Sequence, residues 1–219
     1  MERVAWTDGE LGALLERAEQ LLQDRDRTLL GIAGAPASGK STLADALWRE
    51  LQRRYPGEVA LVGMDAFHIG HRVLLRRGLV EVKGAPHTFD GRGYAALLRR
   101  LRAADETIYA PEFRREIEDS LAAVVEVAPE VRLVLTEGNY LLLPQPPWDE
   151  VRALLDQVWF VHLDDDERRR RMVARRLSYG ETLAVATART WGSDEANAQL
   201  VNAAQNRPDL WIEQSTSTP

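Results

Sequence analysis

Apolar positions along the chain switch repeatedly between two spacings. Leu11, Leu14, Leu15, Ala18, Leu21 and Leu22 recur every three or four residues, which predicts an amphipathic N-terminal helix within residues 1–25. "TLLGIAG" (28–34) is instead a short continuous apolar run, the pattern of a strand buried on both faces. Leu43, Leu47 and Leu51 return to helical spacing and predict a helix to about Arg54, ended by Pro56 and Gly57. "VALVGMD" (59–65), "VRLVLTEG" (131–138) and "VWFVHL" (158–163) read as further buried strands, and "DLWI" (209–212) as a last strand before a frayed tail, "EQSTSTP". Buried runs alternating with helices predict an α/β fold of three layers, with a mostly parallel central sheet covered by helices on both faces.

The intervening segments are predicted more coarsely. Residues 66–92 carry Gly70, Gly78, Gly84, Pro86 and Gly91 and read as a loop. A helix is expected over about 93–103, with Asp90 placed to cap its start. "TIYAPEF" and "AAVVEVAP" suggest a hairpin beside the core, and "EVRALLD" a short helix. From Asp165 the pattern is helical to Gly180, with further helices expected over 181–189 and about 193–205.

Composition narrows the function classes. The 219-residue chain is 45% hydrophobic and 28% charged with a net charge of −6, so broad electrostatic binding of nucleic acid is not expected. It has no cysteine, which excludes disulfides and thiolate metal sites. No apolar run reaches the roughly 18 residues of a membrane helix, so no membrane partner is expected and the reading is a soluble, cytoplasmic protein. The basic residues are nearly all arginine; the only lysines are Lys40 and Lys83.

One of those lysines lies in a motif with a clear physical purpose. Gly34, Ala35, Pro36, Ala37, Ser38, Gly39, Lys40 and Ser41 fit G-x-x-x-x-G-K-[ST], between a predicted strand and a predicted helix. Such a turn presents consecutive backbone N–H groups, and the positive end of the helix, to phosphate oxygens. Lys40 suits the β- and γ-phosphates of ATP, Ser41 offers a hydroxyl to Mg²⁺, and Thr42 continues the loop into the helix. Two carboxylates, Asp65 and Glu137, end predicted buried strands, where parallel sheets deliver residues to a ligand crevice. If the acceptor is a hydroxyl, one carboxylate must take its proton and the other supports the metal; spacing alone does not assign which.

At this point the chain resembles a known group, the uridine kinase, phosphoribulokinase and bacterial pantothenate kinase group of P-loop kinases. The resemblance rests on "GAPASGKS", "MDAFH" (64–68), "KGAPHTFD" (83–90) and "TEGNYLLL" (136–143), in the family's order, and covers roughly residues 28–212. "MDAFH" and "EGNYLLL" look most like a bacterial branch labelled nucleoside or fructose transport-associated kinases. The resemblance implies Asp65 as catalytic base and Glu137 on the metal or acceptor side. It implies one kinase domain over 1–219, with an acceptor region at about 66–128 and a lid at about 165–190. His68, Lys83 and Tyr140 become candidate acceptor-pocket residues, as do Arg114 and Arg115 through a loose match of "APEFRRE" to the family's acceptor-contacting segment. Asn206 and Arg207, in "NRPDLWI", fall where relatives border the adenine.

"DDDERRRRMVARRLSYGET" (164–182) holds six arginines in nine positions. Arg168, Arg171 and Arg175 share one helical face, with Met172, Val173 and Leu177 turned toward the protein. Arg168 and Arg171 are the expected phosphate contacts of a closing lid. The function expected is ATP-dependent phosphorylation of a small-molecule hydroxyl, with a fructose-like sugar as leading acceptor. Nucleoside and pantothenate-type acceptors are the alternatives, and a P-loop ATPase without a small acceptor is a second class. Relatives are often dimers or tetramers, so a homodimer is also expected.

Overall fold

A computed structural model of the protein describes residues 2–7, 9–204 and 208–215. In chain order it runs β1 (Glu2–Thr7), α1 (Gly12–Asp24), β2 (Thr28–Gly34), α2 (Lys40–Arg54), β3 (Val59–Gly63) and α3 (His71–Arg77). Then follow α4 (Gly91–Ala103), β4 (Ile108–Arg114), β5 (Asp119–Val127), β6 (Leu133–Gly138), α5 (Trp148–Leu154) and β7 (Gln157–His162). The chain closes with α6 (Asp165–Ser178), α7 (Leu183–Arg189), α8 (Glu195–Ala203) and β8 (Leu210–Ser215). Six strands form one parallel sheet in the order β1-β8-β7-β2-β6-β3, and β4 and β5 make a separate antiparallel hairpin.

β2 lies between β6 and β7, so the strand that feeds the phosphate loop is central. Alternation along it serves two cores: Leu29 and Ala33 face one, Leu30 and Ile32 the other, all fully buried. α1 and α2 cover one face through Leu14, Leu22, Leu43 and Leu47. α4, α5 and α8 cover the other through Tyr94, Leu98, Trp148 and Val201. This double cover explains why the central strands read as continuous apolar runs. At the start of α4 the Asp90 side chain accepts from Gly93 N at 2.9 Å, the cap its sequence position suggests.

Three expectations need correction. Residues 1–25 are not one helix: β1 precedes α1 and pairs with β8, the last strand of the chain. Its local sequence, ERVAWT, carries two charges in six residues and gives no strand signal of its own. The predicted loop over 66–92 contains α3, whose single buried residue, Leu74, is too little to generate a periodic pattern. The final strand also runs past "DLWI" to Ser215, with Gln214 only 4% exposed.

Candidate active site

The phosphate loop is built by close packing at two glycines. A Cβ at Gly34 would lie 2.5 Å from Ser38 Oγ and 2.7 Å from the Val161 carbonyl. At Gly39, φ is +91° and a Cβ would fall 2.3 Å from the Gln214 amide. Glycine is therefore required at both positions. Gly39 offers α2 no side-chain cap, so the first N–H groups of the helix are left for a ligand. Ser38 Oγ is buried without a hydrogen-bond partner among the described residues.

Lys40 and Glu137 face each other across the loop. Lys40 Nζ lies 4.0 Å from Glu137 Oε2, with both side chains largely buried. Burial pushes the Glu137 carboxyl above its ordinary range; Lys40 opposes this, Asp65 adds to it, and Ser41 and Arg115 oppose it. Glu137 Oε2 also has no hydrogen-bond partner among the described residues. A buried carboxylate held this way, beside the Ser41 hydroxyl, fits a divalent cation. Among the described residues no three His, Asp or Glu side chains cluster to hold a metal unaided. That suits Mg²⁺, which is commonly completed by phosphate oxygens and water.

Asp65 sits in the helical turn Met64–Phe67 that follows β3. The tip of the β4–β5 hairpin brings Arg115 Nη2 to 3.8 Å from Asp65 Oδ2. His68 Nδ1 lies 2.8 Å from the Asp65 carbonyl, so Nδ1–H donates and Nε2 is left as an acceptor. Burial, more than any neighbouring charge, pushes the His68 imidazole below its ordinary pKa, keeping it neutral. Its ring packs at 3.9 Å from Phe89 and 5.1 Å from Phe113, centroid to centroid. Lys83 Nζ lies 5.2 Å above the Phe113 ring and donates to the Glu118 carbonyl at 2.7 Å.

Lys40, Ser41, Asp65, His68, Lys83 and Arg115 line one cleft of about 570 Å³, whereas Glu137 lines the groove beside it. Arg175, Arg176 and Arg189 enter the cleft from α6 and α7. The groove, of about 600 Å³ between α2 and the hairpin, shares Ser41, Asp65, Phe113 and Arg115 and continues from the cleft.

Several candidates lie elsewhere. Arg168 is buried and pairs with Asp165 at 2.9 Å and Glu195 at 2.5 Å, while Arg171 pairs with Glu167 at 2.9 Å; neither lines the cleft. The inward face of α6 is set by Arg168, Met172, Arg175 and Arg176 at i, i+4, i+7 and i+8, whereas Leu177 is 42% exposed. Met172 was the signal in the sequence: its neighbours three and four residues on are the arginines that reach the cleft. Arg114 turns away to Glu112 at 3.6 Å. Tyr140 is fully buried, and its hydroxyl donates to the Gly84 carbonyl, so it anchors the cleft wall from behind. Asn206 and Arg207 fall outside the described residues. Sequence reasoning missed Arg189, Asp194, Asn139 and Asn197, which also line the cleft. Only the position of Asn139, two residues after Glu137, hinted at such a role.

No family model matches the chain. It is 34% identical over 209 residues to a Schizosaccharomyces pombe protein provisionally named a uridine kinase, a match spanning 92% of this chain and 89% of that one. A crystal structure from Silicibacter sp. TM1040, provisionally described as a fructose transport system kinase, is 37% identical, covers 92% of this chain and 98% of its own, and has a TM-score of 0.83. The pantothenate kinase of Parvibaculum lavamentivorans is 32% identical over 168 residues, 73% of this chain but 51% of that enzyme. With a G-x-x-x-x-G-K-S loop after a central parallel strand and relatives of this identity and coverage, the chain belongs to the uridine kinase and phosphoribulokinase family of P-loop kinases, enzymes that phosphorylate hydroxyl groups.

Proposed function

We propose that the protein transfers the γ-phosphoryl group of ATP to a hydroxyl of a small, sugar-like acceptor. The observation that carries this reading is the cleft that Lys40 and Ser41 line together with Asp65, His68 and Arg115. Asp65 takes the proton of the attacking hydroxyl. Arg115 holds the acceptor beside it, and neutral His68 accepts from the acceptor through Nε2. Lys40, Arg175 and Arg176 stabilise the negative charge on the transferring group. Bound Mg²⁺ supplies charge neutralisation at the phosphates; Ser41 and Glu137 would hold it.

The surroundings of Asp65 favour an acceptor without a base: His68 packs against the Phe89 and Phe113 rings, and Lys83 lies over Phe113, so these rings are less open to a nucleobase. The relative described in connection with fructose transport points the same way. A nucleoside acceptor is the second reading. The fission-yeast relative favours it, and the adjoining groove, with Trp48 and Phe113 in its walls, has room for a base.

The test is Mg²⁺-dependent ADP release measured with D-fructose, D-glycerate, uridine and pantothenate, for the wild type and Asp65→Asn. Stimulation by one compound, lost in Asp65→Asn, supports the kinase and names its acceptor. Slow hydrolysis that no compound stimulates and that survives Asp65→Asn would instead identify an ATPase without a small acceptor.

A further inference from the structure

Asn139 belongs to neither the phosphate loop, the proposed base nor the lid. The residue nevertheless lines the same cleft as Lys40 and Ser41. Its amide oxygen Oδ1 is buried and meets no hydrogen-bond donor among the described residues. Buried polar atoms in folded proteins almost always have a partner, so an orphan at a ligand cleft points to a partner that arrives with the ligand.

The residue is also held firmly on both sides. Gly138 packs so closely on Met64 that a Cβ would lie 2.6 Å from Met64 Cβ. Tyr140, fully buried, is tethered through its hydroxyl to the Gly84 carbonyl. The backbone of Asn139 therefore has little freedom to carry its amide toward another donor.

The chemistry of the missing donor can be narrowed. Phosphate oxygens of a bound nucleotide only accept hydrogen bonds, so they do not satisfy a carbonyl oxygen. A hydroxyl can, but the attacking hydroxyl has a single proton, and in the mechanism above that proton goes to Asp65. We infer that Asn139 Oδ1 accepts a hydrogen bond from a second, non-reacting hydroxyl of the acceptor. The substrate is then a polyol, sugar or polyhydroxy acid, and a simple mono-alcohol is excluded. This rests on the kinase reading and extends it by naming a residue that selects the acceptor.

The experiment compares the wild type with Asn139→Leu, which keeps the bulk and removes the acceptor atom, and with Asn139→Ala in case the leucine variant does not fold. The compound from the four-member panel that stimulates ADP release is tested beside its mono-deoxy analogues. In the wild type, loss of one particular hydroxyl should lower kcat/KM by about 100-fold, because the buried oxygen is again left unpaired. In the variants the parent compound should fall by a similar factor, and its preference over that deoxy analogue should disappear. Melting temperature and the KM for ATP should stay near their wild-type values.

Unchanged discrimination between parent and deoxy compound in the variants overturns the inference while leaving the kinase reading intact. A tenfold rise in the KM for ATP also overturns it, since the oxygen would then serve the nucleotide or a metal-bound water. Absence of stimulation by any panel compound, with hydrolysis unaffected by Asp65→Asn, removes the kinase reading and the inference together.

Discussion

Gly138 offers a sharp test of how tightly the site is built. It ends β6, directly after Glu137, and packs on Met64, the fully buried residue directly before Asp65. In Gly138→Ala the new Cβ would meet Met64 Cβ at 2.6 Å, Sδ at 2.7 Å and Cγ at 3.1 Å. Ordinary carbon contacts need about 3.5–4.0 Å, so β6 and the turn carrying Asp65 must separate by roughly 1 Å. No Met64 rotamer avoids this, because the nearest atom is Cβ itself. Overpacking of this kind costs about 1–3 kcal/mol, and each kcal/mol lowers the melting temperature of a chain this size by about 2–4 °C. Calorimetry should therefore show a drop of roughly 2–12 °C. The same movement displaces Asp65 relative to Glu137, and a misplacement of about 1 Å can cost on the order of 100-fold in rate. Met64→Ala added to Gly138→Ala should not rescue either property, since it leaves the offending Cβ in place. A melting temperature within about 1 °C of wild type, with kcat unchanged, would refute this packing argument.

Two further outcomes separate structural from catalytic charges. Arg168→Met should destabilise the fold by about 3–5 kcal/mol by breaking a buried ion pair, with little change in kcat for the protein that remains folded. Arg175→Ala, at a cleft arginine that donates to the Tyr179 hydroxyl, should lower kcat by about 100-fold or more at a smaller cost in melting temperature; the reverse pattern in steady-state kinetics and calorimetry would return the phosphate-contacting role to Arg168. Glu195 is held down from 4.5 to about 2, first by Arg169 and then by Arg168. Its native form thus binds fewer protons than its unfolded form, so its stabilisation is full above pH 4.5 and is lost as pH falls toward about 2. Glu195→Gln should melt below wild type at neutral pH, and the gap should close across that acid window; a gap independent of pH would sink this account.

The legible parts of this protein are those encoded locally. "TLLGIAG" and the leucines at 43, 47 and 51 carry their periods within a dozen residues, and they became β2 and α2 nearly to the residue. The phosphate loop was readable because its chemistry is contiguous: two close-packed glycines, a lysine and a serine in one turn. Asp65 and Glu137 were readable because parallel strands deliver their ends to one edge, whatever the strand order. The acceptor wall is different. Arg115 reaches Asp65 only because a hairpin far along the chain folds over it, and a pair of adjacent arginines does not announce which one faces inward. On α6 the phase of the helix decides the matter. The expected contacts Arg168 and Arg171 engage Glu195 and Glu167 instead, while Arg175 and Arg176 are the arginines of α6 that line the cleft, and Leu177, expected to face the protein, is exposed.

The first and last strands carry this point furthest. "MERVAWT" and "EQSTSTP" read as a helix start and a frayed tail, because each is short, polar and without a local period. In the fold, Glu2–Thr7 pairs residue by residue with Leu210–Ser215, so β8 becomes an interior strand. That pairing opposes Trp6 to Gln214, and the Gln214 amide then packs directly against Gly39, the glycine before Lys40. The phosphate loop therefore rests on a strand whose other neighbour is the N-terminal segment. Parallel pairing between segments some 200 residues apart in sequence has no local signature, since neither strand needs a turn or a patterned partner nearby. Besides the phase of α6 and the reach of the hairpin, the sequence therefore hides the strand pairing on which the phosphate loop rests.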